Sequence, residues 1–229
     1  LEHEPRVNLH RFPVRVDFEA GAVVLEGEVE SVAARKRALR LAAAVDGVRG
    51  VVDRLHVAPA QQRSDGEIRD ALTALLLGEP ELRDCALRWL GKGRAETLRD
   101  VPSRRAGAID LAVEGGVVTF EGTVISLSHK RLAGVLAWWT PGCRDVINSL
   151  EVVPPEDDND GEIVDALGLV YEIDPVVRHD QITVSCRDGV VTLSGAVGTE
   201  EERRRAEFDA WALFAVDEVV NAIEVRVAP

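Results

Sequence analysis

Methionine is missing from all 229 residues, and aromatic residues make up only 4% of them. The chain opens on Leu1-Glu2-His3, so the initiator is expected to have been lost, and a targeting segment can go with it. No stretch approaches the ~18 consecutive apolar residues a membrane span needs, and no transmembrane segment is expected. The three cysteines, Cys85, Cys143 and Cys186, are odd in number and far apart. That excludes both a disulfide framework and a CxxC metal or redox pair. Basic residues are the minority, 27 Lys and Arg against 40 Asp and Glu for a net charge of −13. A broad basic surface for nucleic acid is therefore excluded, because displacing counterions from a phosphate backbone takes clustered Lys and Arg.

The familiar chemical motifs are missing too. There is no GxSxG, P-loop or HExxH run, and His3, His10, His56, His129 and His179 lack the spacing of a zinc site. No metal, cofactor or catalytic residue is expected, and the chain does not read as an enzyme. The acidic run Glu156–Glu162 resembles the start of a calcium loop, but it places Leu167 where a bidentate glutamate is required. It reads as a linker entering a helix cap.

What the sequence does contain is repetition. VDFEAGAVVLEGEVES from Val16, LAVEGGVVTFEGTVIS from Leu111 and VSCRDGVVTLSGAVGT from Val184 align without a gap as far as Val57, Val152 and Val225. Identical positions include Gly21/Gly116/Gly189, Gly27/Gly122/Gly195, Ala38/Ala133/Ala206 and Ala42/Ala137/Ala210. Each copy reads strand, glycine turn, strand, helix, strand, with Ser31, Ser126 or Thr199 as the helix cap. The third helix is expected over residues 200–215. Gly195, near the end of a strand, suggests a bulge or the close approach of a helix. A leading helix precedes copies two and three, where SDGEIRDALTALLLGEP lines up with NDGEIVDALGLVYEIDP. Asp65 or Asp160 is its expected cap, and Pro80 or Pro175 its end. Copy one has no such segment and is either truncated or completed by another one.

The expected class is therefore α+β, as tandem small αββαβ modules, each a three-stranded sheet packed by helices, with the first lacking its leading helix. The boundaries read as 7–59, 64–154 and 159–228. An insertion around 83–105, including LRDCALRWLGKGRAETLRD, reads as one or two short helices.

Gly189 to Val197, followed by Glu202-Arg203, Ala206 and the closing Val219-Val220-Asn221-x-Ile223-x-Val225, resembles the BON domain, named for bacterial OsmY and nodulation proteins. Copy two matches well through GVVTFEGTV and DVINSLEV, copy one more weakly through GAVVLEGEV and GVVDRLHV. The resemblance implies a bacterial cell-envelope, periplasmic or osmotic-stress-associated protein. Such a protein would attach peripherally to a phospholipid membrane surface or to an envelope protein, without catalysis. The competing class is a chaperone-like or scaffolding protein–protein module without lipid affinity.

The recurring alanines mark the helix face that packs on the sheet, with Val45 and Leu213 continuing it. A rotation of about 100° per residue puts Arg131, Val135, Trp138 and Trp139 on the back of the second helix, and Arg204, Phe208 and Trp211 on the back of the third. A cation followed by large aromatics is an interfacial pattern, suited to lipid headgroups or a protein partner. The same residues also suit burial against a neighbouring repeat or the insertion. Basic runs stand at equivalent helix starts, Arg35-Lys36-Arg37, His129-Lys130-Arg131 and Arg203-Arg204-Arg205. Each is shorter than the 4–8 clustered cations typical of lipid recognition. Cys143 and Cys186 read as small core residues, and Cys85 as a free thiol.

Overall fold

The computed structural model describes residues 8, 10–91, 93–101 and 107–226. The outer ends expected for the first and third modules, residues 7 and 228, lie outside the described residues, as do 92 and 102–106 of the insertion. The chain divides into two compact units, Leu1–Ala60 and Gln61–Pro229.

In the first unit, β1 (Val14–Glu19) and β2 (Ala22–Val29) form a hairpin, and β3 (Gly50–Val57) adds to the other edge of β2 in parallel. A parallel neighbour cannot be reached by a tight turn. Helix α1 (Val32–Ala43) makes the crossover, and the Ser31 hydroxyl accepts from the Ala34 N–H at 3.1 Å to start it. The hairpin turn places Gly21 at φ 86, a left-handed conformation open to glycine at little cost. Val23, Leu25, Val29 and Leu55 from the sheet meet Ala34, Ala38 and Ala42 of α1 in one core. Each fully buried leucine there contributes roughly 1.5–3 kcal/mol.

The second unit holds two further copies, each with a leading helix that is not seen among the described residues of the first. In the second module, α2 (Asp65–Gly78) leads into β6 (Gly107–Glu114), β7 (Val117–Val124), α3 (Leu127–Trp139) and β8 (Asp145–Val152). In the third, α4 (Asp160–Ile173) leads into β9 (Ile182–Arg187), β10 (Val190–Val197), α5 (Glu200–Ala212) and β11 (Glu218–Val225). The pairing is again an antiparallel hairpin with a parallel third strand. Helix α5 stops short of the expected residue 215.

The insertion departs from expectation. It forms not helices but two strands, β4 (Ala86–Gly91) and β5 (Arg94–Arg99), which extend the second sheet in the order β5-β4-β6-β7-β8. Alternation explains this: Leu87 is buried while Arg88 points out to form a two-pronged pair with Asp110, its register partner on β6, both contacts at 2.6 Å. The Arg99 side chain ties the new strands back by donating to the carbonyls of Leu82 and Cys85.

Three smaller expectations also change. The helix caps are Ser64 and Asn159, one residue before the aspartates. Ser64 forms a reciprocal capping box with Glu67. The close approach at Gly195 comes from Gln181, the last residue of a single 3-10 turn (His179–Gln181) leading into β9, and not from a packed α-helix. A Cβ there would meet the Gln181 carbonyl oxygen at 2.0 Å, and one at Gly122 would meet that of Ala108 at 2.1 Å. Val45 is exposed, whereas its counterpart Leu213 is buried.

Candidate functional site

The face of α3 that turns away from its sheet is largely covered. It lies against α4 and α5 of the third module, and Arg131 to Ala137 are buried without interruption. Three residues expected on an outer surface, Arg131, Val135 and Trp211, are thus 1%, 0% and 2% exposed. The physical reason is the packing of the two modules: α4 covers the back of α3, and α3 and α4 both lie against α5. Trp138, Trp139 and Phe208 are half-buried, and only Arg204 is exposed. A run of small and apolar residues on every side of α3, with Gly134 in its middle, is the sequence signal of such a doubly covered helix.

Several polar groups in this seam are paired, although Arg131 Nε and Nη1 are buried without a hydrogen-bond acceptor among the described residues. The Arg131 guanidinium lies 4.6 Å from the Phe214 ring centre and donates to Asp158 at 2.5 Å. Lys130 lies over the same ring. The Trp139 indole N–H donates to Asp209 at 2.8 Å, while Arg205 sits over the rings of Trp139 and Phe208 and pairs with Asp174 and Asp209. The Tyr171 hydroxyl donates to the Ala206 carbonyl at 2.7 Å, joining α4 to α5. Burial pushes the Asp209 carboxyl up to about 8, against the pull of Arg205 and helped by the charge of Asp174. Sequence reasoning missed Asp174, Asp209, Tyr171 and Phe214. A signal existed for Asp209, because the repeat places Leu41 and Leu136 at its position.

The acidic linker belongs to this seam as well. Glu156 accepts from the Leu127 N–H at 2.8 Å, Asp158 takes Arg131, and Asn159 caps α4. Beside the seam, a groove of about 460 Å³ runs between the ends of α2, α3 and α4, walled by Leu75, Leu136, Trp139 and Ile173, with Glu79, Asp174 and Arg205 at its edge. Its arginine is already neutralised by Asp174.

Leading helices are fastened by the aspartates once expected as caps. Asp65 accepts from the N–H groups of Gly115 and Gly116 at 3.0 and 2.8 Å. Asp160 does the same for Asp188 and Gly189 at 2.8 and 3.1 Å, which lowers its pKa. Among the described residues no group of three or more His, Cys, Asp or Glu is placed to hold a metal ion. Burial pushes the Cys85 and Cys143 thiols up to about 11 and 12, far from a reactive thiolate at neutral pH.

The family model described as "BON domain" matches residues 5–59, 94–154 and 159–227. The chain belongs to the BON domain family. Its second match begins inside the insertion, past α2, as expected where extra strands separate a leading helix from the rest of a BON module. "Osmotically-inducible protein Y" of Escherichia coli (strain K12) is 30% identical over 147 residues, 63% of this chain and 64% of that protein. The chain thus matches less than two thirds of the length of this curated relative. Two solved structures of CdsD, a structural protein of the type III secretion system of Chlamydia trachomatis, are 16% and 17% identical, with TM-scores of 0.25 and 0.26. They cover 95% and 96% of this chain, which covers 93% and 89% of theirs.

Proposed function

We propose that this chain is a non-catalytic binding protein of the bacterial cell envelope, active in osmotic stress, whose BON modules hold other proteins in a scaffolding or chaperone-like role. Family membership and the likeness to an osmotically inducible protein support the setting. The state of the cations carries the choice of partner. Peripheral attachment to phospholipid needs free cations beside exposed tryptophan. Here Arg131 and Trp211 are buried, Arg35 is paired with Asp53, Arg203 and Arg204 are paired with Glu200, and Arg205 is paired with Asp174. No helix among the described residues is long and apolar enough to cross a membrane.

Co-sedimentation with anionic phospholipid vesicles, at low and at physiological salt, tests this against the lipid reading. A companion measurement follows light scattering of a thermally unfolding client protein with and without the chain. The expected result is no vesicle binding at physiological salt together with reduced scattering. Vesicle binding that persists at physiological salt, with scattering unchanged, reverses the assignment.

A further inference from the structure

The leading helices of the second and third modules both run into an acid followed by proline, Glu79-Pro80 and Asp174-Pro175. Both acids border the groove of about 460 Å³ between the ends of α2, α3 and α4. Each turns its carboxylate back on the chain, Glu79 accepting from the Glu81 N–H at 3.0 Å and Asp174 from the Val176 N–H at 2.8 Å. Both are buried, at 7% and 3% exposed. There the likeness ends. Asp174 is neutralised by Arg205 of α5. The repeat sets Ala133 at the position of Ala206, so the counterpart of Arg205 in the second module is Leu132, which is buried and carries no charge. Glu79 has no ion pair among the described residues, and the Glu81 N–H is the one donor to its carboxylate there.

A carboxylate held largely out of water without a cation is costly. This one stands at the edge of an apolar cavity walled by Leu75, Leu136, Trp139 and Ile173. Glu79 and Asp174 line it against the single guanidinium of Arg205, which leaves one negative charge in excess. The volume falls in the range of about 300–1,000 Å³ in which proteins hold small molecules, between mostly apolar walls with a few polar groups. That size suits a small molecule rather than the broad surface, roughly 800 Å² a side, that a folded partner needs.

We propose that this groove binds a small amphiphilic organic cation, a protonated amine or guanidinium that pairs with the Glu79 carboxylate, carried on an apolar body that lies against Leu75, Leu136, Trp139 and Ile173. The ligand's charge does for Glu79 what Arg205 does for Asp174. A charge-assisted hydrogen bond to Glu79 orients the molecule, and burial of its apolar body supplies most of the affinity. The excess negative charge disfavours an anion of the same shape. Such a site is independent of any protein partner.

The test titrates monodansylcadaverine, a primary amine on an aromatic body, into the full chain and follows quenching of tryptophan emission together with sensitised dansyl emission. Saturable binding is expected, weakened at least about tenfold when the probe's amine is acetylated. Glu79→Gln keeps an oxygen acceptor for the Glu81 N–H but removes the charge, and should weaken binding at least about tenfold as well. Ala74→Phe fills the groove from an exposed position on α2 and should weaken it by a similar factor. Circular dichroism checks that both variants remain folded. Absence of saturable binding overturns the proposal, as does binding unchanged by acetylation of the probe, by Glu79→Gln or by Ala74→Phe. So does displacement of the probe by the peptide acetyl-Leu-Lys-Leu-amide at lower concentration than by unlabelled cadaverine bearing a benzoyl group, since the groove then takes a cationic side chain of a protein.

Discussion

Helices α1 and α3 start from the same serine cap, carry the same pair of alanines onto the same kind of sheet, and cross between the same two parallel strands. Leu41 on the first is nevertheless 38% exposed, while Leu136 on the second is buried. The residue type is identical, so the difference comes from what lies beyond the module's own sheet. The second and third modules each have a leading helix and also share a seam. Within the described residues of the first, no such helix covers the sheet. A BON repeat therefore specifies its sheet and crossover helix locally, whereas burial of the outer surfaces depends on neighbours.

The change with the largest expected effect acts on what the copies share. Gly122 and Gly27 are equivalent, at φ 114 and 140, but a Cβ would meet the Ala108 carbonyl oxygen at 2.1 Å in the second module and the Pro13 carbonyl oxygen at 2.7 Å in the first. Gly122→Ala is expected to cost roughly 4 kcal/mol, from backbone strain and displacement of β6 together, and Gly27→Ala less. Urea denaturation followed by tryptophan fluorescence measures the first case, because all four tryptophans lie in residues 61–229. An unchanged midpoint would show that the strand yields at this point.

Leu136→Ala and Leu41→Ala break the comparison directly. The buried leucine should cost about 3 kcal/mol and the exposed one no more than about 0.5 kcal/mol. Denaturation followed by circular dichroism and fluorescence assigns each loss to its unit. Equal losses would mean that Leu41 is covered in solution.

Glycine turns, serine caps and the alanine face were legible in the sequence because each depends on contacts within one copy. Two features were not. The strands of the insertion rest on a brief alternation around Leu87 and Arg88, and parallel pairing with β6 is a long-range contact that local pattern does not announce. The back-face aromatics kept the right helix positions but not the right surroundings. Periodicity says which side of α3 meets its own sheet and nothing of what lies opposite. Asp209 shows the limit best: at a position that is leucine in the other copies, it is held by Trp139 and Arg205 from two different modules.

That aspartate gives the comparison a pH axis. Its neighbours are Asp174 from the end of α4, Trp139 from α3, and Arg205 on its own helix, with the Tyr171 hydroxyl nearby on α4. The carboxyl is raised from an ordinary 3.8 to about 8, so between those values the folded state holds a proton that the unfolded state has released. Stability of residues 61–229 should fall as pH rises through that window, by at most about 1.4 kcal/mol per pH unit, and level off above it. Leu41 in the first module contributes no such dependence. Urea midpoints at pH 5, 6, 7 and 8 measure the slope, and Asp209→Asn should flatten it. A slope of the opposite sign would mean that the carboxylate is stabilised by Arg205 more than burial penalises it.

The smallest expected effect asks whether the local part of the repeat is equivalent between modules. Ser31 accepts from the Ala34 N–H at 3.1 Å, and Ser126 accepts from the His129 N–H at 3.2 Å. Each cap contributes about 1 kcal/mol by satisfying an N–H that has no partner within the helix. The Ser126 hydroxyl also meets His129 Nδ1 at 2.6 Å, so Ser126→Ala should lose slightly more than Ser31→Ala. Hydrogen exchange read by mass spectrometry follows both helices in one sample. Similar losses of protection would confine the difference between the modules to their outer surfaces. A much larger loss in α1 would mean that a helix with one uncovered flank leans harder on its cap, and the local and neighbour-dependent contributions would then be coupled.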